Sequence, residues 1–180
     1  MINNLYGTTI VCVKKKGKTV MGGDGQISLG NTILKSNASK LRILDKGRIV
    51  IGFAGSVTDS LTLFERLQAK LSKHSNHLVR SCTELAKDWR QDKYLRKLEA
   101  MMIVADKDHI LILSGNGDII EPEDNVASIG SGSIYASAAA KALMSVDIPH
   151  DAKYIANRSL EIAAEMCVYT SDKIILEEVK

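Results

Sequence analysis

A chain of 180 residues, 45% hydrophobic and 25% charged, has the length and apolar content for one well-buried domain. A formal net charge of +3 is too small for a dedicated nucleic-acid binder, and no apolar run approaches the ~18 residues of a membrane span. Met1–Gly7 has neither the basic start nor the apolar stretch of a secretion signal, and Cys12, Cys82 and Cys167 lie far apart with no C-x-x-C pair. The expectation is a soluble, cytoplasmic protein whose cysteines are small buried apolar residues.

From Thr8 to Phe53 the chain is built of short β-branched runs, Thr8–Val13, Thr19–Gly22, Asn31–Lys35, Leu41–Leu44 and Arg48–Phe53. The charged Lys14–Lys18 run and Asp45-Lys46-Gly47 are turn signals between them, which predicts antiparallel hairpins. From Ser56 to His74 the period changes: Val57, Leu61, Phe64, Leu67 and Leu71 fall on one helical face, with Ser56 or Thr58 as N-cap. A second helix is expected from about His77 to Leu98 around Leu78, Leu85, Trp89 and Leu95. Strands resume at Met101–Ala105, His109–Ser114 and Asp118–Glu121, with Ser114-Gly115-Asn116-Gly117 as a tight turn. Val126–Ile129 then leads through a glycine turn into an alanine-rich helix, Ile134–Ser145. Asp151 caps a last helix to about Met166, and Lys173–Glu177 closes as a strand.

Strands, two helices, strands, two helices and a strand make segregated blocks, which predicts α+β layers and not a βαβ repeat. Two sheets packed face to face with a helix pair outside each would bury every apolar run. No internal repeat or Pro-rich linker divides the chain.

Several sources of chemistry are weak here. Gly130-Ser131-Gly132 lies between a strand and a helix like a dinucleotide loop, but Tyr135 occupies the third glycine position and no acidic residue follows about 20 positions on in a second strand. No Walker motif and no G-x-S-x-G elbow occur, and His74, His77, His109 and His150 have no metal-ligand spacing around them.

What remains is Thr8 with Asp24 and Lys40, polar residues set among apolar strands. If the Gly7–Thr8 bond is cut, Thr8 carries a hydroxyl nucleophile and a free α-amine together. An α-amine, with an ordinary pKa of about 7.7–8.0, is well matched as a general base. Lys40 can lower the pKa of the Thr8 hydroxyl, and Asp24 can fix the lysine and the amine. Gly52-Phe53-Ala54-Gly55 lies between a strand and a helix N-terminus, where backbone N–H groups can hold an oxyanion. A ring-forming scaffold without activity and an amidohydrolase acting on a small molecule are the alternatives.

Thr8-Thr9-Ile10-Val11, Gly22-Gly23-Asp24-Gly25-Gln26, Leu29-Gly30-Asn31-Thr32, Gly52-Phe53-Ala54-Gly55, Thr62-Leu63-Phe64-Glu65, Glu84–Arg90, Leu95–Ala100, Gly115–Asp118 and Ile129–Gly132 together resemble the HslV peptidases, bacterial relatives of proteasome β-subunits. The resemblance spans Thr8 to Glu178. It implies an N-terminal-nucleophile threonine endopeptidase with a four-layer αββα sandwich, in which residues 1–7 are a leader removed autocatalytically and residues 8–180 form one peptidase domain. It implies a homododecamer of two stacked hexameric rings, fed with unfolded protein by hexamers of the HslU AAA+ ATPase, which alone would use ATP. No nucleic acid, no membrane and no cofactor for the chemistry belong to that picture. By motif, Thr8 is the nucleophile, Lys40 tunes it, Asp24 supports the lysine, Gly52 supplies an oxyanion N–H and Ser131 lies near the Thr8 amine. The resemblance also implies a structural sodium ion on the backbone carbonyls of Ala164, Cys167 and Thr170. Ala164 and Ser133 stand where many members carry glycine.

Overall fold

The computed structural model describes residues 5–93, 95, 100–115, 117–147 and 149–180. Strands β2 (Thr9–Lys15) and β3 (Lys18–Asp24) form a hairpin in which Lys15 pairs with Lys18. The predicted charged turn therefore narrows to Lys16 and Gly17, both at positive φ, as a two-residue turn of this twist requires. β11 (Val126–Gly130) flanks β2 and β12 (Ile174–Glu178) flanks β3, giving a four-stranded antiparallel sheet in the order β11-β2-β3-β12. β6 (Leu41–Leu44), β7 (Ile49–Gly55), β8 (Ala100–Ala105), β9 (Ile110–Leu113) and β10 (Ile119–Ile120) form a five-stranded sheet, with one 3-10 turn, Asp45–Gly47, joining β6 to β7.

Residue alternation sorts the side chains into layers. Ile49, Ile51 and Phe53 of β7 and Met102 and Val104 of β8 face helices α1 (Val57–Lys73) and α2 (Leu78–Gln91). The intervening Val50, Ala54, Ile103 and Ala105 face the other sheet, where they meet Ile10, Cys12, Met21, Ala127 and Ile129. Val11, Val13 and Val20 turn outward onto α3 (Ser133–Met144) and α4 (Ala152–Met166). Both sheets are thus covered on both faces, and the architecture is the expected α+β sandwich of helix pair, sheet, sheet and helix pair. The helices beside the four-stranded sheet approach through small residues, Ala136, Ala140, Ala152, Ala156 and Ala163, all buried.

Helix ends follow local capping chemistry. The Ser56 side chain accepts from Asp59 N–H, and Asp151 accepts from Tyr154 N–H, each satisfying a donor of a first turn. The buried face of α1 is Leu63, Leu67 and Leu71; Leu61, expected on it, is exposed. α2 stops at Gln91 and not near Leu98, because Asp92 turns to extended backbone and its carboxylate caps Leu95 N–H. Leu95 still reaches the core beside Trp89, while Arg96–Leu98 and Asn116 of the predicted tight turn lie outside the described residues.

A third sheet, in the order β1-β4-β5, was not expected in full: β1 (Leu5–Tyr6) and β4 (Ile27–Leu29) join the predicted β5 (Thr32–Lys35). Strands of two and three residues are too short for an alternation to register.

Leu67→Ala removes a fully buried side chain from the cluster that also holds Trp89, the single tryptophan. It is expected to lower stability by about 2–5 kcal/mol, read from Trp89 fluorescence during urea unfolding.

Candidate active site

Ile10 pairs with Gly23 across the β2–β3 hairpin, so the start of β2 and the end of β3 lie side by side. That register sets Asp24 against Thr9, and Thr9 N–H donates to Asp24 Oδ1 at 2.7 Å. Asp24 is buried, and its oxygens also receive Gln26 N–H at 2.9 Å and Ser171 N–H at 3.1 Å on Oδ2, with Lys40 Nζ at 3.0 Å on Oδ1. A buried carboxylate is tolerated only with such a complete set of donors. Lys40 arrives from the other sheet, immediately before β6. Its side chain is only 9% exposed, and burial lowers its pKa from the ordinary lysine range while the charge of Asp24 opposes that shift.

Lys40 Nζ also donates to the carbonyl oxygen of Gly7 at 2.6 Å. The Thr8 hydroxyl donates to the same oxygen at 2.6 Å. In the uncleaved chain, therefore, a hydroxyl and an amine converge on the carbonyl that precedes Thr8.

The rest of Thr8 is held by the glycine turn at the end of β11. Ser131 N–H donates to the Thr8 carbonyl at 2.7 Å. A Cβ at Gly130, which has φ +95°, would stand 2.0 Å from that same oxygen, so only glycine permits the approach. One residue on, the buried Thr9 hydroxyl accepts from Gly132 N–H at 2.9 Å and lies 2.7 Å from the Thr170 hydroxyl. Sequence reading assigned no role to Thr9 and only a carbonyl role to Thr170. A second buried threonine directly after Thr8 was the available signal.

Beside Thr8 opens a cavity of about 370 Å³ with an apolar wall of Ile27, Ala38, Phe53, Leu61 and Phe64 and a cationic rim of Lys35 and Arg42. Gly55 lines it and Gly52 does not. Gly52 sits mid-strand between Leu41 and Ile103, and a Cβ there would run into Ile10 at 2.6 Å and Met21 at 2.8 Å. Phe53 N–H donates to Lys40 O on the β6 side, so the adjacent Gly52 N–H points the other way, toward Ile103 of β8, which argues against Gly52 as the oxyanion donor. N–H groups two residues apart, such as those of Phe53 and Gly55, emerge on the same strand edge. Gly55 N–H therefore points along that edge beyond the start of β6, on the cavity side, and is the better placed donor.

The site thus unites Thr8, Asp24, Lys40 and the Ser131 main chain, and replaces Gly52 by Gly55. Ala164 lies in the last turn of α4, Cys167 caps that helix, and Thr170 N–H donates to Cys167 O at 3.0 Å. Other nucleophiles are unsuitable: Cys12, Cys82 and Cys167 are buried, and burial pushes the Cys82 thiol up to about 12 and Cys12 higher still. His77 caps α2, His109 leans on Asp106 and His150 stacks on Tyr154, all away from the cavity. Among the described residues no group of His, Cys, Asp and Glu is arranged to hold a metal ion.

Comparison with known proteins places this geometry. Residues 5–179 match the family described as "Proteasome subunit". The chain is 58% identical over 175 residues to the ATP-dependent protease subunit HslV of Rickettsia bellii, covering 97% of this chain and 96% of that protein. It is 57% identical over the same coverage to the subunit of that description from Rickettsia prowazekii. Among solved structures, eukaryotic HslV from Trypanosoma brucei superposes with a TM-score of 0.89 at 42% identity, over 94% of this chain and 98% of that one.

Gly52→Ala tests the packing of this position, since it adds a Cβ and keeps the backbone N–H. The clash with Ile10 and Met21 is expected to cost about 1–3 kcal/mol of stability while turnover per folded molecule stays within about twofold, measured by urea unfolding alongside steady-state kinetics. Unchanged stability would overturn the placement of this position against Ile10 and Met21.

Proposed function

This chain belongs to the proteasome subunit family, and from that membership we propose that it is the threonine peptidase subunit of an ATP-dependent protease, made active by cleavage of its own Gly7–Thr8 bond. The observation that carries this reading is the convergence of the Thr8 hydroxyl and Lys40 Nζ on the Gly7 carbonyl oxygen, each at 2.6 Å.

Before cleavage the Thr8 nitrogen is an amide and accepts no proton. Lys40, whose pKa burial lowers, is the base at hand. It takes the hydroxyl proton as Thr8 Oγ1 adds to the Gly7 carbonyl carbon, and the same amine group lies beside the oxygen on which negative charge develops. Collapse breaks the Gly7–Thr8 C–N bond, the nitrogen takes the proton, and an ester joins Gly7 to Thr8 Oγ1. Water then adds to the ester carbon, giving a Gly7 carboxylate, the Thr8 hydroxyl and a free α-amine.

In the mature enzyme that amine is the base; free α-amines ordinarily titrate at about 7.7–8.0. Thr8 Oγ1 attacks a substrate peptide carbonyl, Gly55 N–H receives the oxyanion, and water resolves the acyl-threonine ester. Asp24 holds Lys40 in place, and Ser131 N–H fixes the Thr8 main chain. The apolar cavity wall takes a side chain of the substrate.

The proposed assembly is a cytoplasmic homododecamer of two stacked hexamers, supplied with unfolded polypeptide by hexamers of an HslU-type AAA+ ATPase that alone uses ATP. Among the described residues no helix is long and apolar enough to cross a membrane. Sodium fits the segment from Ala164 to Thr170. A helix leaves the carbonyls of its last turn without N–H partners, and their negative dipole end favours a cation. Ala164 O is one of these carbonyls, and the side chain in place of glycine leaves it available. The Cys167 and Thr170 carbonyls would complete the set, and the ion would stiffen the turn that carries the Thr170 hydroxyl to Thr9. The inactive scaffold and the small-molecule amidohydrolase are disfavoured, the first by the complete Thr8, Lys40 and Asp24 constellation and the second by near full-length identity to protease subunits.

Thr8→Ala is expected to fold and assemble but keep residues 1–7 and hydrolyse no peptide. Intact mass and a fluorogenic peptide assay check both, and wild-type protein that is active with the leader still attached would refute self-cleavage. Gly7→Ala should slow self-cleavage on the order of tenfold or more, because a Cβ at φ +111° would press on Ser28 Oγ at 3.1 Å and Gln26 O at 3.3 Å. The self-cleavage rate of wild type should rise with pH and level off below the ordinary lysine pKa of about 10.4, since Lys40 must lose its proton to act. Lys40→Arg, permanently charged, should not mature at any pH in that range.

A further inference from the structure

Leu5 and Tyr6, just ahead of Gly7, are bound as a strand. Leu5 and Tyr6 form β1, antiparallel to β4 in the register Leu5↔Leu29 and Tyr6↔Ser28. β5 already occupies the opposite edge of β4, so β1 fills the edge that the β4–β5 hairpin leaves open. Gly7 then turns at φ +111° and delivers its carbonyl oxygen to Lys40 Nζ and the Thr8 hydroxyl.

Hydrolysis of the bond leaves every one of these strand contacts in place and changes only the end of the strand. The neutral carbonyl becomes a carboxylate, and the Thr8 nitrogen becomes an amine that binds a proton near neutral pH. Two cationic donors, Lys40 Nζ and the Thr8 ammonium, then face one anion. Hydrogen bonds between ionised partners are roughly twice as strong as neutral ones. Asp24 does not compete with that anion for the whole of Lys40, because its two oxygens already share three backbone N–H donors besides the lysine.

We propose that the Thr8–Lys40 site together with the open edge of β4 is a receptor for the α-carboxylate of a cleaved peptide, and that the released leader, residues 1–7, is its first ligand and a product inhibitor. The proposal rests on the self-cleavage reading above. The recognised chemistry is an extended peptide with a free C-terminus: backbone pairing to Ser28 and Leu29 aligns it, and the terminal carboxylate locks onto Lys40 and Thr8. Acyl-side products of protein digestion share that chemistry and bind in the same way, so clearance of cleaved ends becomes part of each turnover.

Mature enzyme, shown by intact mass to begin at Thr8, is assayed on a fluorogenic peptide in the presence of the synthetic heptapeptide of residues 1–7 in three forms: the free acid, the C-terminal amide, and the acid N-methylated at Leu5 and Tyr6. The acid is expected to inhibit competitively with an inhibition constant on the order of tenfold below that of the amide, equivalent to one added charge-assisted contact. N-methylation, which removes the strand donors, is expected to weaken the acid by a similar factor. Acid and amide agreeing within about twofold would overturn the carboxylate receptor while leaving self-cleavage standing. An N-methylated acid as potent as the parent would overturn the strand-docking half. Active protein that still carries residues 1–7 would overturn the self-cleavage reading and this proposal with it.

Discussion

The buried Asp24 carboxylate is the fixed point of the active site. Its two oxygens accept from Thr9, Gln26 and Ser171 main-chain N–H groups and from Lys40 Nζ, at distances of 2.7 to 3.1 Å. Each donor belongs to a different piece of the chain: the nucleophile strand, the turn after β3, the segment after α4 and the approach to β6. An unpaired carboxylate at that depth would be prohibitive, so the requirement to satisfy it pulls four segments to one point. The position of Lys40 beside Gly7 and Thr8 follows from that requirement, and burial there lowers its pKa from the ordinary lysine range against the opposing charge of Asp24.

The layered fold determines why the chemistry sits at a strand end. Both sheets are covered on both faces, and their strands are therefore nearly all apolar in the middle. Polar groups can only gather where backbone leaves the layers. The starts of β2 and β6 and the ends of β3, β7 and β11 meet at one corner, bringing Thr8, Lys40, Asp24, Gly55 and Ser131 together from across the chain. Gly52, only three residues from Gly55, serves the opposite purpose. It has no side chain because Ile10 and Met21 of the facing sheet, with Leu41 of the neighbouring strand, occupy that space.

Leu5, Tyr6 and Gly7 meet the same corner. β1 pairs with β4, and Gly7 presents its carbonyl to Lys40 and Thr8. Under the proposed mechanism the groups that attack this internal peptide bond are those that attack substrates, with one exchange: Lys40 would be the base while the Thr8 nitrogen is an amide, and the α-amine would take over once free. Leu5, Tyr6 and Gly7 thus fill the open edge of β4 and the space beside Lys40 and Thr8.

The order of the large elements was legible because each carries its own period. Alternating β-branched runs gave the strands of both main sheets, the three-to-four spacing gave α1, and Ser56 and Asp151 marked helix starts through their side-chain caps. Thr8, Lys40 and Asp24 stood out because charged and hydroxyl side chains beside apolar strands require partners. Elements shorter than one period were not legible: β1 and β4 exist because they pair with one another and with β5. The end of α2 was also misplaced, since Leu95 continues the apolar pattern while reaching the core from outside the helix.

By itself, then, the sequence determined the layers and singled out Thr8, Asp24 and Lys40 as polar residues among apolar strands, because burial and charge are properties of residue types and spacing. The tertiary structure alone decided which backbone N–H reaches the cavity, which oxygen Lys40 touches and which hydroxyls brace Thr8. Those are distances of a few ångströms between separate segments, from the 33 residues between Gly7 and Lys40 to the 161 between Thr9 and Thr170, and only the packing of one layer on another sets them.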